Sequence, residues 1–295
     1  MIKSKFRLFL AISVLMLVAG CTVQESTEEQ EIKNDNMDSK ERIIATTVAV
    51  AEIMDALEID LVGVPTSYKD LPKRYKGITE IGNPMNPDME IILSLKPTEV
   101  MSVSTLKSNL DTVFSSKGIE SSFINLQTLD TMQQEILAIG ERYDSEEQAE
   151  AIIQKFEEKM TEIEKRIEGK EPPTVLILMG VPGSYLVATE HSYIGDLVRS
   201  AGGKNIISDE EVEYLSSNTE YLQKSNPDII LRAAHGMPEE VVKMFDKEFK
   251  ENDIWKHFNA VKNDRVYDLE EELFGTTGNL AAPEAIDELL EMLYP

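Results

Sequence analysis

Two side chains in this sequence have the type and placement to bind a metal. Ile230-Leu231-Arg232-Ala233-Ala234-His235-Gly236-Met237-Pro238 reads as a buried strand running into a short Gly/Pro loop, with one imidazole at the strand's carboxyl end. In open α/β sheets the crevice beyond the strand ends is where ligands bind. The plainer alternative for an isolated residue of this kind is a hydrogen-bonded loop histidine. The second side chain is Met85, set between two prolines in Gly82-Asn83-Pro84-Met85-Asn86-Pro87. A thioether in a polar loop has little reason to be core, whereas most other methionines here fall at helical or strand spacing and read as packing.

A third feature would suit an anion. The window from Thr66 to Gly82 carries Ser67, Tyr68, Lys69, Lys73, Arg74 and Lys76, the most basic stretch of the chain after its leader. With the helix amino end at Thr47-Val48-Ala49 it would offer N–H groups and cations to a carboxylate, or else form a solvated surface loop. Imidazole and thioether together are an axial ligand pair for haem iron, and propionates need such donors. Met237 lies too near His235 in the chain to reach the opposite face of a porphyrin. His191, in a Thr-Glu-His-Ser turn, and His257, beside Trp255, read as surface or packing residues.

The elements that would position these groups alternate strand and helix, which calls for α/β lobes with parallel pairing. Strands are expected at 42–46, 61–65, 98–103 and 121–125, with helices at 48–57, 88–95, 106–116 and 128–140. From Asp144 to Gly169 apolar residues recur at steps of three and four, giving one long helix with an Asp144/Glu147 capping box and a stop at Gly169. A second α/β series follows, with strands at 174–180, 186–189 and 265–268 besides the His235 strand. Glu90 stands seven residues before Pro97 and Glu220 seven before Pro227, an echo that would mark equivalent surface points on the two lobes.

Lys3, Lys5 and Arg7, then an apolar run to Ala19, then Cys21 form a bacterial export signal. Val18-Ala19-Gly20-Cys21 resembles a lipobox, and the run is short for a membrane span. Cys21 is the single cysteine, so it reads as a lipid anchor, and an internal disulfide is excluded. The polar stretch after it reads as a tether. The expected division is 1–20 signal peptide, 21–41 tether, 42–143 first lobe, 144–170 connecting helix and 171–295 second lobe. A formal net charge of −25 speaks against nucleic acid as a partner. The nucleophile, zincin, haem-attachment and nucleotide-loop motifs are absent, so an enzyme is not expected.

Longer words make the sequence recognisable: Thr46-Thr47-Val48-Ala49, Val64-Pro65-Thr66-Ser67-Tyr68-Lys69, Glu80-Ile81-Gly82-Asn83-Pro84-Met85, residues 175–188, Ser216-Ser217-Asn218-Thr219-Glu220, His235-Gly236-Met237-Pro238-Glu239-Glu240 and residues 252–258. Together they resemble the haem-receptor lipoproteins of the iron-regulated surface determinant system of Gram-positive bacteria, within the wider family of iron-complex and cobalamin importer binding proteins. The resemblance covers the whole chain beyond the tether. It implies a bilobal substrate-binding protein of class III type, with two α/β lobes on one long helix and one haem b as transported ligand. It also implies axial ligation by Met85 and His235. Propionate contacts would come from the Val48 and Ala49 amides and from Ser67, Tyr68 and Lys69, and permease docking from Glu90 and Glu220.

The partners so implied are haem, an ABC permease and cell-surface haem donors. The chain is expected as a monomer held by Cys21 on the extracellular face of the cell membrane. The run Glu271-Glu272-Leu273 is expected at a pocket edge, clear of the ligands. A siderophore or cobalamin receptor is the alternative, and it would line its cleft with Arg, Tyr or Trp.

Overall fold

Buried β-branched runs alternating with capped amphipathic helices build the first lobe. Strand β1 (Ile43–Ala45) is fully buried and leads into helix α1 (Val48–Ala56), where Thr47 caps the amino end by accepting the Val50 N–H. Next come β2 (Leu61–Val64), β3 (Thr79–Glu80), β4 (Gly82–Asn83), β5 (Asn86–Pro87) and α2 (Met89–Leu95), with Asp88 as its cap. After these lie β6 (Glu99–Val103), α3 (Lys107–Ser115), β7 (Ser121–Ile124) and α4 (Leu129–Arg142). The sheet order is β3-β2-β1-β6-β7, parallel throughout, and β4 pairs with β5 as a separate hairpin. This is a computed structural model, and it describes residues 41–217, 222 and 225–295.

The long helix is α5 (Glu146–Ile167), 22 residues, or about 33 Å of rise at 1.5 Å per residue. The expected Asp144/Glu147 capping box does not form. Asp144 takes φ +54° in the tight reversal from α4, and Ser145 stands at the cap position without a side-chain cap bond. The reversal is fixed by the Ser145 N–H on the Gly140 carbonyl at 2.8 Å and by Ala149 packed against Gly140. At its far end α5 is tied to the last helix: Arg166 meets Glu291 at 2.6 Å and Asp287 at 3.3 Å, and Lys159 also pairs with Asp287.

The second lobe comprises β8 (Thr174–Val181), β9 (Ser184–Ala188), α6 (Tyr193–Ser200), β10 (Lys204–Asn205), β11 (Tyr214–Ser216), β12 (Ile229–Ala234), α7 (Pro238–Glu251), α8 (Asn259–Lys262), β13 (Val266–Asp268) and α9 (Ala282–Leu293). Its sheet runs β11-β9-β8-β12-β13, with β10 also on β8. Strand β12 is buried at all six positions and pairs parallel with β8 from Ile229↔Val175 to Ala234↔Gly180. Burying each of its Ile and Leu side chains contributes about 1.5–3 kcal/mol. Helix α7 lies so close on β8 that a Cβ at Gly180 would come within 2.3 Å of Val241 and 2.6 Å of Phe245. The exit of β12 is thus fixed from two sides. Two α/β lobes joined by α5 make up the fold, and one apolar core runs through both, from Ile43 and Met101 to Ile177 and Leu289. No helix among the described residues is long and apolar enough to cross a membrane.

Candidate functional site

The candidate ligand and propionate residues lie beyond the carboxyl ends of strands. Val48 and Ala49 follow β1, Ser67 to Lys69 follow β2 and His235 follows β12, all strands of parallel pairs, while Met85 lies beyond β3 in the turn between β4 and β5. Glu271 follows β13 in the same way. In parallel sheets these ends share one edge of each lobe, where ligand crevices form.

The first turn of α1 begins at Val48, half-buried, with Ala49 beside it. Thr47 serves the Val50 amide and its carbonyl serves Ala51, so the Val48 and Ala49 N–H groups are the donors with no acceptor inside the helix. Past β2, the Ser67 hydroxyl oxygen accepts the Lys69 N–H at 2.9 Å and folds the loop into a turn. The expected basic window divides here. Arg74 faces away to Asp55 and Asp60, both at 3.3 Å, and among the described residues Lys69 is the cation of this window that reaches the second lobe.

Met85 does not sit in an irregular loop, as the paired prolines suggested. It is at the tip of the β4–β5 hairpin, where the Asn83 side-chain oxygen accepts the Met85 N–H at 2.8 Å in an Asx turn. Its side chain is 64% exposed. Strands of two residues are too short to show a period in sequence, so the hairpin was not legible there.

His235 donates its backbone N–H to the Gly180 carbonyl at 2.9 Å, extending the β12–β8 ladder by one rung. Its imidazole is exposed and carries no hydrogen bond among the described residues. The chain then turns through Gly236 at φ +70° and Met237 at φ +50° into α7. Three residues before His235, Arg232 is buried against Asp268, at 2.7 and 2.5 Å, and Asp246 at 3.0 Å, beneath Phe245 and Phe249. That anchor holds the strand end at which the imidazole stands.

Glu271 has a larger part in the site than a pocket edge alone would suggest. Its hydrogen bonds reach neither Met85 nor His235, and it is 8% exposed and joins the two lobes. One carboxylate oxygen accepts the Gly236 N–H at 3.0 Å and the Tyr68 hydroxyl, and its backbone carbonyl accepts the Lys69 ammonium at 3.2 Å. The structure thereby brings Tyr68 and Lys69 of the first lobe to the His235 loop of the second. Burial, and then the hydrogen bond to Glu271, push the Tyr68 phenol up to about 12, although most of its ring surface is open to solvent. Glu52, on α1 and facing Lys69, is raised by burial and lowered in part by that ammonium.

Among the described residues, seven large apolar side chains are exposed, and Tyr68, Met85 and Met237 are three of them. Their clustering at these loops favours a surface built to be covered. The one tryptophan, Trp255, is fully buried and stacked on Phe249 at 4.3 Å, outside this region. A cavity of about 760 Å³ also opens between the lobes, lined by Gln127, Thr128, Glu190, His191, Glu211 and Glu213 among others. Its carboxylates outnumber Arg199, which Asp196 already holds, and it offers no thioether, so it is a poor match for the chemistry above. Glu90 is exposed in the first turn of α2. Glu220 and Cys21 lie outside the described residues.

A family model described as periplasmic binding protein matches residues 43–273. The high-affinity heme uptake system protein IsdE of Staphylococcus aureus (strain Newman) is 48% identical over 287 residues, 97% of either chain. The crystal structure of S. aureus IsdE complexed with heme superposes with a TM-score of 0.82 at 51% identity, covering 86% of this chain and 99% of that one. An ABC transporter substrate-binding protein from Listeria monocytogenes EGD-e does so with a TM-score of 0.82 at 57% identity, covering the same 86% and 99%.

Proposed function

The chain belongs to the periplasmic binding protein family, and on that footing we propose that it is a haem-binding lipoprotein serving an ABC importer in iron acquisition. It takes haem between its lobes and passes it to the permease, and it is not an enzyme. The observation that carries this reading is the meeting of the Tyr68–Lys69 loop with the His235–Gly236 loop on Glu271, which gathers anion donors beside an imidazole without a partner among the described residues.

His235 and Met85 supply the axial ligands, one from each lobe. Imidazole and thioether suit haem iron, and both side chains are exposed and without hydrogen bonds among the described residues. The Val48 and Ala49 amides, the Ser67 hydroxyl, Tyr68 and the Lys69 ammonium take the propionates. Met237 and the exposed ring of Tyr68 add apolar cover for the macrocycle. With two axial ligands filled, the iron has no open position for peroxide chemistry.

The division that accompanies this reading is signal peptide 1–20, tether 21–41, lobes 42–143 and 171–295, and connecting helix 144–170. Cys21 carries the lipid on the outer face of the membrane, Glu90 and Glu220 dock the permease, surface proteins donate the haem, and the chain works as a monomer. Gel filtration after mixing with haem tests the cargo. One haem should travel with each chain, and a colourless protein peak would rule the reading out.

A further inference from the structure

Tyr68 presents a conflict, which rests on the haem reading above. A phenol has one proton and donates one hydrogen bond. Here that proton goes to the Glu271 carboxylate, which holds the Gly236 N–H through the same oxygen. Lys69 has three ammonium protons and directs one at the Glu271 carbonyl. The Ser67 oxygen accepts the Lys69 N–H and keeps its own proton to donate. Of the three side chains on the loop, Tyr68 alone must let a partner go before it can serve a carboxylate of the cargo.

We propose that Tyr68 exchanges partners between Glu271 and a cargo carboxylate, so that Glu271 competes with the cargo for one hydroxyl and thereby sets its rate of release. The exchange swaps one carboxylate for another. The two hydrogen bonds are of the same charge-assisted kind, so the net gain to the cargo at Tyr68 is small. During the exchange Glu271 keeps the Gly236 N–H, so the loop bearing His235 stays anchored. A carrier that must give up its ligand gains from such a brake on affinity. Glu271 is a positioning residue in this scheme, because it acts on the cargo through Tyr68.

The test is haem release into excess apomyoglobin, measured for the unsubstituted protein, Glu271→Gln, Tyr68→Phe and the double variant. Iron protoporphyrin IX and its dimethyl ester are the two cargoes. Gln still accepts the Gly236 N–H but binds the phenol more weakly than a carboxylate does. Glu271→Gln should slow haem release roughly five- to tenfold, the scale of one charged hydrogen bond. In the Tyr68→Phe background the same change should fall below about twofold, and for the ester, which has no free carboxylate, it should vanish. Glu271→Asp separates contact from charge, and guards against misfolding of the Gln variant. It keeps the charge but is too short to span Gly236 and Tyr68, and it should also slow release.

A slowing that persists with Phe at position 68, or an acceleration in either Glu271 variant, would overturn the exchange. No change in either variant would overturn it as well. If the unsubstituted protein takes up no haem, the cargo reading falls and the exchange with it. If it takes up haem but shows no coupling between the two positions, only the exchange falls.

Discussion

The Asp196 carboxylate, on α6 of the second lobe, accepts the Leu129 backbone N–H at the start of α4 in the first lobe, at 2.8 Å. Asp196 is 2% exposed, and nearby the Gly278 N–H meets the Leu126 carbonyl at 2.7 Å. The lobes are therefore joined along one side by core and buried hydrogen bonds, and along the cleft edge by the polar contacts of Glu271.

Asp196→Ala should be costly, because it leaves a buried N–H without an acceptor and frees Arg199. A loss of about 2–3 kcal/mol is expected, or a fall of roughly 5–10 °C in Tm by calorimetry. Haem uptake by the folded fraction should be unchanged, since the contact involves neither Met85, His235 nor the Ser67–Lys69 loop. A variant as stable as the original would show that this junction contributes nothing.

Glu99 ties β6 to the α4–α5 reversal through Arg142, at 2.7 Å, and the Tyr143 hydroxyl. Burial alone would raise its carboxyl, but Ser122, Tyr143 and Arg142 together outweigh burial and hold it below the usual range. The folded state thus binds the proton less readily than the unfolded chain. The stabilisation is complete above about pH 4.5, the ordinary carboxyl value, and is lost as the pH falls further. Glu99→Gln should flatten the acid side of a stability-against-pH curve measured by urea unfolding. An acid side as steep as before would remove Glu99 from the account.

Glu90 offers a separation of binding from delivery. It is exposed on α2, and Leu93, 44% exposed, lies one turn along the same face. Glu90→Lys should leave the haem spectrum and affinity unchanged while cutting haem-dependent growth of cells at least tenfold, the effect of reversing a charge at a docking contact. Normal growth would show that the permease reads another surface.

Much of this arrangement was legible in the sequence. The alternation of strands and helices, the Thr47 cap, the stop at Gly169 and the buried strand before His235 are local patterns, and each appears where periodicity and capping chemistry put it. The rest depended on geometry that spacing does not encode. Tyr68 and Glu271 are 203 residues apart, and no local signal links a loop tyrosine to a glutamate in an acidic run. The Met85 hairpin escaped because its strands have two residues each. Asp144 escaped because a capping box and a tight helix reversal share the same residue types, and the packing of Ala149 on Gly140 decided between them.

The central claim is that one imidazole and one thioether, from loops on different lobes, hold the same iron. The most direct measurement is the absorption spectrum of the haem-loaded protein beside Met85→Ala and His235→Ala. Each substitution should shift the Soret band and remove the low-spin visible bands, with the His235 variant losing more affinity, because imidazole is the stronger ligand. Spectra and affinities unchanged in both variants would contradict the claim.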